Sequence, residues 1–489
     1  MISRTLLLTG AAAAAGYLGW ILTTYHGTLD ERVALVFAVK LVLVLATGVC
    51  FLLLSGRPDS RTLERLAAFS ERHTGALLAL IIASSAAIAF LTTPQIDYGE
   101  GQLGRGYGND GVFYGRMTEH FAWFKYTVPG WQFAYRPLAP MLVHYSGLDT
   151  FTGFRVLNLS SHALASLLVY RIGRHLHLPP VAALLAVGFL AILKFGLKFL
   201  VYYPVLTDGL GMLLLMTIIW ATLEKRAWLY LLAMAAAVYT RENLLALTVF
   251  NALYLIRTGN GPRRFLTAAV LQLPPFAVYV LNRRHPVFLP LYDTGPWPML
   301  ASWGRRFLLD PGWREVSFLA YCNSLGALLI LALLSWRGVA RFLGEHYEWA
   351  YYVAANAVLS IVGGADVDRY AVWLAPVAIF ALLSLDFSRP GPPPRIWLYW
   401  FALQAAAMEF FLPWFPDEAF SRSRCAAYAT GTQLTYVTVF SWALIATVVA
   451  MQLGDQPGGT RPSPREGAAT TALARSGSFF GPSKSAPAT

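Results

Sequence analysis

Long apolar runs separated by short polar clusters set the rhythm of this chain almost to its C-terminus. They cover residues 5–24, 33–54, 74–93, 153–172, 180–200, 208–223, 227–239, 243–257, 266–282, 317–336, 348–363, 370–386, 395–413 and 431–452. Most can cross a hydrocarbon layer as a helix, which takes about 17 to 25 residues for a thickness of about 30 Å. Backbone polar groups in lipid must be satisfied within the segment, so helices are expected rather than open strands. The pattern predicts an all-α polytopic membrane protein with about fourteen transmembrane helices. Runs 227–239 and 243–257 are short and are expected to form a tight pair. The first run, behind Met1–Arg4, reads as a retained helix, since another span follows closely; a cleaved signal peptide is the alternative.

Four regions follow from the pattern. Residues 1–73 hold two N-terminal helices and a basic loop, 74–386 a membrane core, 387–453 the C-terminal helices, and 454–489 a Pro/Gly/Ser/Ala-rich tail expected to be disordered. No internal repeat is evident. One alternate set of loops carries Arg57, Arg61, Arg65 and Arg72, then Arg171 and Arg174, then Lys225 and Arg226. It continues with Arg257, Arg263 and Arg264, then Arg337 and Arg341, then Arg389 and Arg395. The bias of Lys and Arg towards the cytoplasm puts this set inside, with both termini, in an inner or plasma membrane. The outer loops, about 94–152, 283–316 and 414–430, are rich in Trp, Tyr, Pro and Gly, as interfacial segments are. Arg283, Arg284, Arg305, Arg306 and Arg314 break the rule within the second of them.

Composition sharpens the class. The chain is 56% hydrophobic and 13% charged with mean hydropathy +0.51, where a soluble protein carries about a quarter charged residues. The excess of 38 Lys+Arg over 26 Asp+Glu is read as cytoplasmic loop bias rather than a nucleic-acid surface. Cys50, Cys322 and Cys425 have neither metal-ligand nor redox spacing.

The candidate chemistry lies in polar islands on the outer side. The first outer loop carries Asp97, Glu100, Asp110 and Glu119, with Arg105 and Arg116 among six glycines that permit close approach to a ligand. From Gly111 onward, Val-Phe-Tyr…Met…Phe-Ala-Trp-Phe predicts a short amphipathic helix along the membrane surface. Asp110 then stands at or beside its N-cap, where the helix dipole favours a carboxylate. It is either that cap alone or a functional acid. Downstream, Arg136 in Tyr-Arg-Pro-Leu can neutralise a phosphate or snorkel to headgroups. In Tyr-Tyr-Pro-Val-Leu-Thr-Asp-Gly, Thr207 or Asp208 can cap the next helix, or Asp208 can share an outward cavity with Asp110. Arg241 and Glu242 lie between two short spans, facing a wet cavity or pairing with each other; insertion of such charges costs about 2.5 to 3.5 kcal/mol. Asp366, Asp368, Arg369 and Tyr370 precede a Pro-containing span, and an arginine there suits bidentate capture of a phosphate. Lys40, Lys194, Lys198 and Glu409 read mostly as snorkelling or packing residues.

Taken in order, Asn-Asp-Gly-x-Phe-Tyr, Tyr-Arg-Pro, Thr-Asp-Gly, Thr-Arg-Glu-Asn and Asp-x-Asp-Arg-Tyr resemble the GT-C group of integral-membrane glycosyltransferases over roughly residues 74 to 386. The resemblance implies sugar transfer from a polyprenyl-phosphate-linked donor to a glycan, lipid or protein acceptor on the extracytoplasmic side. It implies a catalytic carboxylate in the first large outer loop, which by position is Asp110, with Asp97 or Glu100 as runner-up and Asp208 as a further acid. Arg369, Arg241 and Arg136 are expected at the donor phosphate, supported by Tyr114, Glu242, Asp366, Asp368 and Tyr370. Family members often carry paired acids where this chain has Asn109 before Asp110, so no residue is assigned to a metal and no cofactor is assigned. The first two spans and the tail look like additions to the family core. A transporter or lipid flippase is the alternative, disfavoured because the acids gather in outer loops and no repeat is seen.

Overall fold

The computed structural model describes residues 68–93, 107, 109–121, 127–128, 131–290, 296–362, 367–387 and 396–410, with a few isolated positions besides. The expected spans 5–24, 33–54 and 431–452, the tail, Lys40, Asp97, Glu100 and Asp366 lie outside them.

The described chain is predominantly helical. α1 (Thr74–Thr92) leads to α2 (Asn109–Glu119), β1 (Thr127–Val128), α3 (Trp131–Ala134), α4 (Leu138–Ser146) and the long α5 (Thr150–His175). Asp149 caps α5, its side chain accepting the Thr152 backbone N–H at 3.1 Å. α6 (Pro180–Ala191) passes through a π turn (Lys194–Lys198) into α7 (Phe199–Tyr202), followed by α8 (Asp208–Leu223) and α9 (Ala227–Val238). A 3-10 turn (Glu242–Ala246) opens α10 (Leu247–Thr258), then come α11 (Arg263–Val270), α12 (Leu273–Arg284) and β2 (Leu289–Pro290). The remainder is α13 (Pro296–Leu309), α14 (Pro311–Leu325), α15 (Ala327–Leu334), α16 (Trp336–Glu345), α17 (Tyr347–Val362), α18 (Val367–Ala371), a 3-10 turn (Val372–Leu374), α19 (Ala375–Phe387) and α20 (Ile396–Ala407).

Among the described residues, three helices are long and apolar enough to cross a membrane, Thr74–Thr92, Arg263–Arg284 and Val367–Leu385, or up to five if each of two bent pairs is one span. α1 shows what surrounds them. It is apolar all round, yet only 17% of its span window is buried, with Leu80, Phe90 and Leu91 turned outward. An exposed apolar face of that extent belongs against lipid.

Two expected spans are broken. Run 180–200 bends by 47° between α6 and the π turn. Run 317–336 breaks at Gly326, whose φ of 55° favours glycine. A Cβ at Gly326 would also stand 2.3 Å from Met408 Cε. The break frees backbone groups that Gln404 of α20 recovers: its Nε2 donates to the Leu325 carbonyl (3.0 Å), and its Oε1 accepts from the Leu328 N–H (3.3 Å).

The centre is α8, packed on α5, α9 and α10, with α6 against α5 and α19. β1 and β2 pair in parallel, Thr127 with Leu289 and Val128 with Pro290, which joins two loops expected on the same side. The helices run between two ends. Asp110, Asp208, Arg241 and Arg369 precede or open α2, α8, α10 and α19, whereas α5, α8 and α10 finish at the other end near His175, Leu223 and Thr258.

Candidate active site

Four separate elements deliver charge to one point. Asp110 lies in the first turn of α2, Asp208 in the first turn of α8, Arg241 just before the 3-10 turn that opens α10, and Arg369 in α18. Each belongs to a polar island between apolar stretches, so helix packing collects the islands at one end of the bundle.

The side chains form an alternating row. Arg369 Nη1 donates to Asp110 Oδ2 at 2.7 Å, and Arg369 Nη2 to Asp208 Oδ2 at 2.8 Å. Arg241 Nη2 meets the same Asp208 oxygen at 2.6 Å, and its Nε donates to Thr207 Oγ1 at 3.3 Å. Aromatic faces flank the cations: Arg241 lies over Tyr370 (5.6 Å) and Trp373 (5.5 Å), and Arg369 over Phe199 (5.6 Å). Two carboxylates balance two guanidinium groups, which removes the cost of burying any one of them alone. The Asp110 side chain is 30% exposed, against 9% for Asp208. Asp110 is therefore the more accessible of the two acids.

The backbone positions these acids. The Gly111 N–H donates to the Tyr203 hydroxyl (3.0 Å), pinning the start of α2 to the end of α7. Asn158 of α5 donates to the Pro204 carbonyl (2.8 Å), fixing the turn before α8. There the α5–α8 approach excludes a side chain at Gly209, whose added Cβ would lie 2.5 Å from Asn158 Oδ1.

A second charged group adjoins the first. Glu242 pairs with Arg283 (3.0 Å) and Arg136 (3.6 Å), and Arg283 lies 3.9 Å from the Tyr135 ring centre. Arg136 donates to the buried Tyr114 hydroxyl. Burial works against its charge, but Tyr114, Glu242 and Tyr370 prevail and raise its pKa above the usual arginine range. Tyr370 lies between the two groups, close enough to act electrostatically on Arg136 and with Arg241 over its ring.

Of the residues singled out in the sequence, Asp110, Asp208, Arg241 and Arg369 meet directly, and Arg136, Tyr114, Glu242 and Tyr370 stand beside them. The Asp368 backbone carbonyl accepts from Ser324 Oγ (2.8 Å), and Glu119, at the far end of α2, accepts from the Tyr107 hydroxyl. Three of the alternatives left open are decided. Arg241 and Glu242 do not pair with each other, because each finds an opposite charge across the bundle. Thr207 makes no side-chain cap, since its hydroxyl is committed to Arg241. Lys194, Lys198 and Glu409 do not snorkel: Lys194 pairs with Glu409 (3.0 Å), and buried Lys198 donates to the Glu409 backbone carbonyl (2.9 Å). Phe199, Tyr203, Thr207, Asn158, Trp373 and Arg283 join the site without being assigned to it from the sequence. Arg283 carried a signal, as a cation breaking the loop rule, and its partner Glu242 accounts for it.

Among the described residues no group of three His, Cys, Asp or Glu side chains is placed to hold a metal ion. No protein-family model matches the chain, and no curated protein matches it.

Proposed function

We propose that the chain is a polytopic membrane glycosyltransferase of the GT-C kind, with about fourteen spans in all. It transfers a sugar from a polyprenyl-phosphate donor to an extracytoplasmic acceptor. The observation that carries this reading is the bridge by which Arg369 holds Asp110 and Asp208 together, with Arg241 behind it. It supplies an acid open to an acceptor beside two cations suited to a phosphate.

The reaction is one displacement. Asp110 takes the proton of the acceptor hydroxyl as general base. The acceptor oxygen bonds to the anomeric carbon, and the carbon–oxygen bond to phosphate breaks, its electron pair leaving with polyprenyl phosphate. Arg369 and Arg241 stabilise that anion, so no strong general acid is required. Before the donor arrives, Arg369 is engaged by both carboxylates. Donor phosphate competing for its N–H groups releases Asp110 Oδ2, so that the base is freed as the leaving group is bound.

The test is transfer of labelled sugar from polyprenyl-phosphate sugars in membranes containing the protein, against an Asp110→Asn control. A folded Asp110→Asn protein that still transfers sugar ends the assignment.

One observation favours a second reading, a transporter or lipid flippase. The broken α6–α7 unit holds Lys194 and Lys198 on Glu409 inside the bundle, and broken helices with interior charge serve translocation in transporters. Movement of a labelled polyprenyl-phosphate sugar across the bilayer, with no bond broken, would favour that reading.

A further inference from the structure

A cavity lies at the opposite end of α8 from Asp208. It has a volume of about 1020 Å³, the size of a small-molecule site. α8 starts at Asp208 and ends at Leu223 in the cavity wall. At about 1.5 Å per residue the two sites are separated by roughly the length of that helix.

The wall is basic, with His175, His177, Arg257, Arg337, Arg341 and His346. Part of that charge has an ordinary explanation. Arg257 donates to Glu348 through Nε (2.9 Å) and Nη2 (2.7 Å), and His346 Nδ1 lies 3.8 Å from the same carboxylate. His175 meets Glu224 at 3.2 Å. His175 and Arg257 also stand in the last turns of α5 and α10, where the helix dipole welcomes a cation.

Arg337 and Arg341 have no partner of that kind; both are exposed, in a segment whose basic charge also fits the cytoplasmic bias. Arg337 sits in the first turn of α16 (Trp336–Glu345), where the dipole disfavours a cation, and Arg341 follows four residues later on the same face. Neither forms an ion pair with a described residue. Glu345, the one remaining acid of the wall, lies at the far end of the same helix. Trp349 and Ser384 belong to the cavity wall, and Trp349 Nε1 and Ser384 Oγ are buried, with no accessible surface of their own and no hydrogen-bond partner among the described residues. Buried donors of this kind cost free energy unless an acceptor reaches them. Two exposed arginines and the first turn of α16 thus border one space beside the apolar Leu334 and Phe342.

We propose that this cavity binds a phosphate ester, its phosphate on Arg337 and Arg341 and its body against the apolar wall. The ester is either the headgroup of an anionic lipid or a soluble phosphate. The site is independent of the transfer reaction proposed above.

The experiment uses the full chain purified in detergent. Inorganic pyrophosphate binding is measured by calorimetry on the wild type, on the double variant Arg337→Gln/Arg341→Gln and on Arg369→Gln. Retention of phosphatidylglycerol against phosphatidylcholine is read by native mass spectrometry on the same proteins. Saturable pyrophosphate binding that survives Arg369→Gln but weakens about tenfold or more in the double variant assigns a soluble phosphate ester. No pyrophosphate binding, but phosphatidylglycerol retained by the wild type and lost by the double variant, assigns a lipid headgroup. Neither ligand bound, or binding lost only in Arg369→Gln, overturns the proposal. Should the double variant fail to fold, phenylglyoxal labelling of the wild type replaces it: ligand that protects Arg337 and Arg341 supports the site, and ligand that leaves both open to modification overturns it.

Discussion

Arg369 and Asp110, 259 residues apart in the chain, are joined by an N–H···O bond of 2.7 Å. The same guanidinium reaches Asp208 with its other terminal nitrogen, so one side chain ties α18 to both α2 and α8. Arg369→Ala leaves Asp208 with Arg241 alone and Asp110 with no counter-charge from α18. Breaking a buried pair from one side costs about 3–5 kcal/mol, and thermal unfolding in detergent should show a loss of that order. Arg369→Lys should be milder for stability but severe for transfer, since a point charge cannot span two carboxylates. Equal activity of Arg369→Lys and wild type would remove Arg369 from the donor site.

Asp110→Asn keeps the shape of the side chain and removes the base. Transfer should fall by about 10² to 10⁴-fold, with the unfolding midpoint close to wild type. A rate and a midpoint that fall together would instead mark Asp110 as structural.

Glu242→Gln withdraws the carboxylate shared by Arg136 and Arg283. Losing charge-assisted bonds to a part-buried group costs about 1.5–3 kcal/mol. A double-mutant cycle between Glu242 and Arg283 should return a coupling energy clearly above zero, and a coupling of zero would show the pair to be ornamental.

Gly209→Ala forces a methyl group to within 2.5 Å of Asn158 Oδ1 and 3.2 Å of its Cα. Neither neighbour can withdraw freely, because the Asn158 amide holds the Pro204 carbonyl. Overpacking of this kind costs about 1–3 kcal/mol, read as a lower unfolding midpoint, and transfer should drop with it as Asp208 shifts.

Asp149 offers a test by pH. Its carboxyl is held below the ordinary value of 3.8, chiefly by Thr152 through its side chain and backbone N–H. A depressed folded value means the cap contributes above pH 3.8 and loses its contribution as pH falls through the lower folded value. Asp149→Ala should cost about 1 kcal/mol near neutral pH, and the gap from wild type should close as pH falls below 3.8 and through the lower folded value. A gap that is constant with pH would contradict this.

Much of this arrangement is legible in the order of residues. Apolar runs such as 208–223 and 348–363 lie almost residue for residue over α8 and α17, because an unbroken oily stretch has few alternatives in lipid. The breaks are not legible. Run 180–200 looks continuous in the sequence, yet its backbone leaves helical geometry at Gly196, and the Glu409 that holds Lys194 and Lys198 there lies more than two hundred residues away. The same distance hides partnerships: Arg241 and Glu242 are neighbours in sequence, yet their counter-charges come from different elements. Asp110, Asp208 and Arg369 can each be nominated as an isolated charge beside an apolar run. That one guanidinium bridges both acids is beyond a linear reading, since it depends on how α2, α8 and α18 pack.

The short parallel ladder between residues 127–128 and 289–290 has an implication for traffic. Pro290 brings no amide hydrogen to it, so this fastening between two loops is slender, while the acids and arginines are bolted from four directions. If a bulky molecule enters past these loops, the ladder would part more readily than the row of ion pairs. A cysteine pair locking Thr127 to Leu289 would turn that doorway into a wall.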